Sequence, residues 1–247
     1  MKKIGIIGGI GWPSTIEYYK LICEASQKHH SGKKFVGPTP MPEISIESVN
    51  SNYSIEIRGS AEPGSWEKWD NYYKTALKTL ENSGSKVILI ASVTPHTRLK
   101  EISKEIKTPI VSIYDAIGEF SKSDNIKNLL ILGTLPTMKS SSFIDGLVKF
   151  GINAFYPLND KLRHEVVKII ELLYENKFED ADSKIDTLVK QCIPQKELNK
   201  TAVCLGCTEL PLAFQSYLKS KSFEASGVKY LNSSVIHASA VFNKCLN

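Results

Sequence analysis

The sequence predicts an α/β protein of two similar domains, each a parallel sheet flanked by helices, with a site in the cleft between them. Two observations carry the prediction. Four short runs are almost continuously apolar and β-rich: "KIGIIGG" at 3–9, "KVILIAS" at 86–92, "NLLILGT" at 128–134 and "TAVCLGC" at 201–207. A strand with one wet face would alternate, so these read as strands covered on both faces, as in parallel sheets. Around them helical patterns fall at 15–27, 66–82, 99–106, 115–121, 140–150, 161–176, 181–191 and 235–246. Strands alternating with helices of this length form βαβ units.

The runs divide two to each half. In each half the earlier run ends in Gly-Gly or Gly-Thr before a helix, and the later one ends in a small polar or thiol side chain followed by Thr. The expected domains are 1–112, with 229–247 returning to it, and 113–228, the chain crossing through "KTPIVSIYDAI" at 107–117.

Composition narrows the function classes. The chain has 247 residues, 42% hydrophobic and 23% charged, ordinary for a soluble protein. Its formal charge of +5 is spread without a block of like charges, too weak for a nucleic-acid footprint. No run approaches the roughly 18 apolar residues of a membrane helix, so no membrane partner is expected. "MKKIGIIGGIG" is too short and glycine-rich for a signal peptide, which places the chain in the cytoplasm. Five unevenly spaced cysteines argue against a disulfide framework and for a reducing compartment.

Ligands of open parallel sheets bind beyond the carboxyl ends of the strands. In facing domains those ends bring Ser92 and Thr94 towards Cys207 and Thr208. Cys207 stands where a strand ends and a helix is expected to begin. A helix N-terminus favours an anion, so the thiol pKa should fall and make thiolate available near neutrality. The competing reading is a structural thiol in the core. Cys204 and Cys207 also form C-x-x-C, but Cys204 lies within the apolar run and no second Cys or His pair completes a metal site, so Cys204 is assigned to the core and no metal is expected.

"GGIGWPST" at 8–15 has the place of an anion loop, between a strand and a helix. It lacks the pattern of a nucleotide loop. Its amides around Gly11 and Thr15 suit a carboxylate instead. "LGTLPTMKSS" at 132–141 repeats the design, with Thr134 and Thr137 as donors or as caps. His96 is placed to order the loop after Ser92, His164 opens a helix towards the cleft, and His237 begins the last helix; each also reads as structural.

"IGIIGGIGWPSTIEYYKLI", "VILIASVTPH", "LLILGTLPTM", "VVKIIELL", "VCLGCTELP" and "VIHASAV" run nearly end to end, and together the chain resembles the aspartate/glutamate racemase family of cofactor-independent amino-acid racemases. "GCTEL" and "GGIGWPST" are the most specific pieces. The resemblance implies two pseudo-symmetric domains, a homodimer, a small carboxylate or amino-acid substrate, no pyridoxal phosphate or other cofactor, and two-base proton transfer at Cα with Cys207 as one base. Three positions depart from the pattern. Ser92 stands in place of the second cysteine, Val93 in place of the asparagine that holds the substrate, and His164 where a lysine receives the substrate's side-chain carboxylate. Two alternatives follow. One is a single-cysteine decarboxylase or isomerase of a small dicarboxylate; the other is a degenerate member that binds a carboxylate without catalysis.

Overall fold

A computed structural model of the chain describes residues 1–60 and 62–247. Contacts divide it into two compact units, Met1–Ser112 with His237–Asn247, and Ile113–Ile236. Both are α/β layers, parallel strands flanked by helices.

The first unit runs β1 (Ile4–Gly8), α1 (Trp12–His30), β2 (Ile44–Ser48), α2 (Ser51–Glu56), α3 (Glu67–Asn82), β3 (Val87–Ile90) and α4 (Leu99–Ile102). Its sheet has the order β2-β1-β3, all parallel, with Ile6 opposite Ile46 on one side and Leu89 on the other. β1 and β3 are buried at every position. β2, not read from the sequence, is the edge strand: "ISIES" alternates and stays partly exposed, the pattern that distinguishes a half-covered strand from a central one. α1 and α3 pack on β1, and Trp69, Tyr73, Leu77 and Leu80 of α3 join Ile7, Ile88 and Ile90 in one core.

The second unit runs α5 (Ile113–Ser123), β4 (Asn128–Leu132), α6 (Leu135–Lys139), α7 (Ser142–Val148), β5 (Asn153–Phe155), α8 (Asp160–Tyr174), α9 (Ala181–Cys192), β6 (Thr201–Leu205), β7 (Ser222–Ala225), β8 (Val228–Asn232) and α10 (Ser233–Leu246), whose residues from His237 onward belong to the first unit. The sheet order is β5-β4-β6-β8-β7. β4, β5, β6 and β8 are parallel; β7 is antiparallel to β8. That hairpin was not read from the sequence. Ser226 and Gly227 turn it with φ of 50° and 75°, the two left-handed residues of a tight type I′ connection.

Three expected elements differ. The helix read at 99–106 is α-helical only to Ile102 and follows a 3-10 turn, Thr94–Arg98, opened by Pro95. The helix read at 140–150 is the shorter α7, Ser142–Val148, preceded by a separate short helix, α6, that was not read. Within 107–117, Ile110 bridges Ile88 in parallel and Ile113 already begins α5. No helix among the described residues is long and apolar enough to cross a membrane.

Candidate active site

In the first unit, β1 ends at Gly8 and turns through Gly9 into α1. Gly9 has φ +79°, and a Cβ there would meet the Val49 carbonyl oxygen at 2.2 Å, so only glycine fits. The Gly9 N–H donates to Thr15 Oγ1 (2.9 Å), and that hydroxyl donates on to the Gly11 carbonyl (3.4 Å). Thr15 thus fastens the loop, with Gly11 as the N-cap of α1 and Pro13 in its first turn, where a missing N–H costs nothing.

After β3, Ala91 leads to Ser92, partly exposed, followed by Val93, which is buried, and Thr94. His96 folds back on this turn: its Nδ1–H donates to the Ser92 carbonyl (2.9 Å). Behind it lies His237, edge-on at 5.6 Å between ring centroids. The His237 Nε2–H donates to the Val111 carbonyl (2.9 Å) and its Nδ1 accepts from the Tyr18 hydroxyl (2.9 Å). Burial, with His96 next to it, pushes His237 down to about 3, so it is neutral. Arg98, closing the turn, donates through Nε to Asp70 Oδ1 (2.6 Å), completes a two-pronged pair with Asp70, and stacks on Trp66. The Ser92 turn is therefore held by hydrogen bonds from His96 within it and from Arg98 at its far end.

In the second unit, β4 ends at Gly133. Thr134, N-cap of α6, shares a hydroxyl hydrogen bond with Thr137 (3.0 Å), which is buried. β6 ends beside it: the Gly206 N–H donates to the Leu132 carbonyl (2.7 Å), and a Cβ on Gly206 would meet that oxygen at 2.8 Å. Gly206 leads directly to Cys207, buried at 7% exposure. The Cys207 Sγ–H donates to Glu209 Oε2 (2.9 Å), and the Thr208 hydroxyl donates to the same oxygen (3.0 Å). Glu209 is itself buried.

These surroundings correct the expected thiol chemistry. Burial, then the Glu209 carboxylate that receives its proton, pushes the Cys207 thiol well above its ordinary value of 9.0; the backbone N–H groups of Glu209 and Thr208 oppose this only weakly. The expected helix N-terminus is a four-residue 3-10 turn, Leu210–Ala213, too short for a substantial dipole. Cys207 at rest is a thiol, not a thiolate. Glu209, which adds to burial in raising the thiol, was not singled out in the sequence; an acidic residue two positions after the thiol was the signal.

Cys204 lies within β6, fully buried with its thiol pushed up by desolvation alone. His164, in the first turn of α8, is exposed, its Nδ1–H donating to the Asp160 carbonyl (2.6 Å). Beside it the half-buried Arg163 donates through Nε to the Pro157 carbonyl (2.9 Å) and pairs with Asp160 (3.4 Å). Among the described residues no three His, Cys, Asp or Glu side chains converge to hold a metal ion.

The fold is of the racemase-like α/β class, with a strand of one unit leading to a glycine-anchored thiol and a strand of the other to a hydroxyl-bearing turn. The family described as Asp/Glu/Hydantoin racemase matches residues 7–241, and the chain belongs to that family. Among solved structures, an aspartate racemase homologue from Pyrococcus horikoshii OT3 is 30% identical over 100% of both chains, with a TM-score of 0.77. A putative Asp/Glu racemase from Yersinia pestis is 26% identical over 100% of both chains, with a TM-score of 0.81. An aspartate racemase from Picrophilus torridus, 20% identical over 99% of this chain and 94% of its own, shares the fold with a TM-score of 0.72.

Proposed function

We propose that the chain is a cofactor-independent amino-acid racemase in which Cys207 and Ser92 serve opposite faces of the substrate Cα. The observation that carries the reading is the buried Cys207–Glu209 pair: a thiol and a proton acceptor 2.9 Å apart at the end of β6. Such a pair supports both directions of transfer. As an acid, Cys207 gives its proton to the substrate carbanion. As a base, it first passes that proton to Glu209 Oε2, and the thiolate then takes the α-proton while the C–H electron pair moves into the carboxylate. On the other face Ser92 delivers or accepts a proton through its hydroxyl, relayed by water or Thr94. A site kept from water strengthens every such interaction.

Substrate carboxylates are assigned to the loops around Gly11 and Thr15 and around Thr134 and Thr137, with Thr208 as a further donor. Val93, buried and without a donor, offers the substrate no side-chain hydrogen bond. At the start of α8 the partly buried Arg163 presents a guanidinium beside His164, and we assign a side-chain carboxylate to it.

The test is incubation of L- and D-amino acids in deuterium oxide, read by proton NMR. Loss of the α-proton signal with inversion supports the reading; retention of that signal in all amino acids, aspartate and glutamate included, overturns it. A second reading rests on the protonated state of Cys207. A single thiol proton donor, with serine rather than a second cysteine at position 92, suits one protonation, as after loss of carbon dioxide from a substituted malonate. Carbon dioxide release without exchange in any amino acid would favour it.

A further inference from the structure

In the second unit the connection between α8 and α9 holds an aromatic ring in water. Phe178 is 37% exposed, yet its loop is ordered: the Lys177 N–H donates to the Leu172 carbonyl (2.9 Å) and the Ala181 N–H to the Phe178 carbonyl (3.2 Å). The ring lines a cavity of about 330 Å³ together with the segment from Ala213 to Tyr217 and with Ala225 of β7. Tyr217 lies flat on Phe223, with 4.6 Å between ring centroids and 5° between planes, and is still 38% exposed, so one face of its ring is covered and the other is open. The buried Phe214, packed on Phe223 and Tyr230, supplies a third ring. The charged group of this cavity is a carboxylate, Asp182 in the first turn of α9, and the loop beside it adds Glu179 and Asp180, all three exposed. Nearby ion pairs engage Glu175 with Lys177 and Asp186 with Lys190, and Lys184 gives its ammonium to the Glu179 carbonyl (3.3 Å). Among the described residues no cation pairs with the carboxylates of Glu179, Asp180 or Asp182. In a chain of formal charge +5 this corner is acidic and aromatic.

We propose that this cavity binds an aliphatic polyamine. The open faces of Phe178 and Tyr217 attract an ammonium group and pack against the methylenes that join one ammonium to the next. Asp182 accepts a charge-assisted hydrogen bond from the group held between the rings, and Glu179 and Asp180 draw the following one. The chemistry of the lining selects against other ligands. An anion would meet three carboxylates, and a neutral apolar molecule would strip water from Asp182 without replacing it. A metal ion has no use for the rings, and the three carboxylates do not converge on one point. A ligand with a single ammonium would use Asp182 and leave the two acids beside it idle. None of the residues assigned to the amino-acid substrate lines the cavity, so the site is a second one.

The test is titration of the full chain with spermidine at low salt, followed by calorimetry. One saturable site with a Kd below about 1 mM is expected. Phe178→Ala and Tyr217→Ala should each weaken it about fivefold and Asp182→Asn about tenfold, with circular dichroism unchanged. Glu119→Gln, which removes an exposed carboxylate of α5, should leave the Kd as it is. Absence of saturable binding at about 10 mM spermidine overturns the proposal. So does binding that Phe178→Ala and Tyr217→Ala leave intact, or that Glu119→Gln weakens as much as Asp182→Asn, because either result describes diffuse attraction to surface carboxylates. Binding is read without turnover, so the outcome is independent of deuterium exchange at the substrate Cα.

Discussion

The Cys207 thiol holds its proton because burial and Glu209 both oppose its charge, and that pair is where the chemistry can be tested most directly. Cys207→Ala should lower turnover by a factor on the order of 1,000 or more, the range of a positioned acid–base group, with the fold intact by circular dichroism. Glu209→Gln removes a charge that raises the thiol pKa. Alkylation of Cys207 by iodoacetamide, followed by mass spectrometry, should therefore begin at lower pH in the variant than in the wild-type chain; an unchanged or higher onset would contradict the pair. Arg163→Ala should raise KM for a dicarboxylic amino acid about tenfold or more, the loss of a charged hydrogen bond, with a much smaller change for His164→Ala. The position of Cys207 could be read from "VCLGCTELP". Its protonation state could not, because the desolvation and the Glu209 contact that set it exist only once β6 is buried and the chain has turned.

At the scale of elements, the carboxyl ends of the strands are held by glycines that cannot be replaced cheaply. Gly206→Ala forces a Cβ against the Leu132 carbonyl at 2.8 Å, and the shift of β6 against β4 should cost about 1–3 kcal/mol in urea denaturation and displace Cys207. Gly9→Ala adds a left-handed φ to a 2.2 Å clash and should cost more. The strands β1, β3, β4 and β6 were readable because each is buried along almost its whole length, β3 even at the edge of its sheet, which leaves a continuous apolar run. β2, β5, β7 and β8 were not: β2, β5 and β7 lie at sheet edges, where partial exposure breaks the run, and in β8 Lys229 and Asn232 interrupt the apolar run of "VKYLN". The 3-10 turn after Glu209 was expected to be a helix, and the one at Thr94–Arg98 precedes a helix that is shorter than the one read at 99–106. Pro95 and Pro211 open these turns, and which turn type follows is settled by packing rather than by propensity.

At the scale of the whole chain, buried titratable groups set how stability varies with pH. His237 is held down at about 3 against an ordinary 6.5, so the folded state binds its proton less readily than the unfolded one. Its contribution is complete above pH 6.5 and is lost as pH falls towards 3, by roughly 3–5 kcal/mol if no other group compensates. Thermal midpoints should fall across that window, and His237→Gln should flatten the fall. Cys192, Cys204 and Cys207 act at the other end. Their raised values mean that stability is complete below about pH 9, the unfolded thiol value, and declines as pH rises further. The sequence by itself determined the α/β class, the family and the loops that carry Cys207, Ser92 and the threonines, because apolar runs and glycine-rich turns are local signals. Tertiary structure alone decided that Cys207 is a thiol, that Glu209 is its partner and that Thr15 fastens its own loop, because burial and contact are properties of the folded chain.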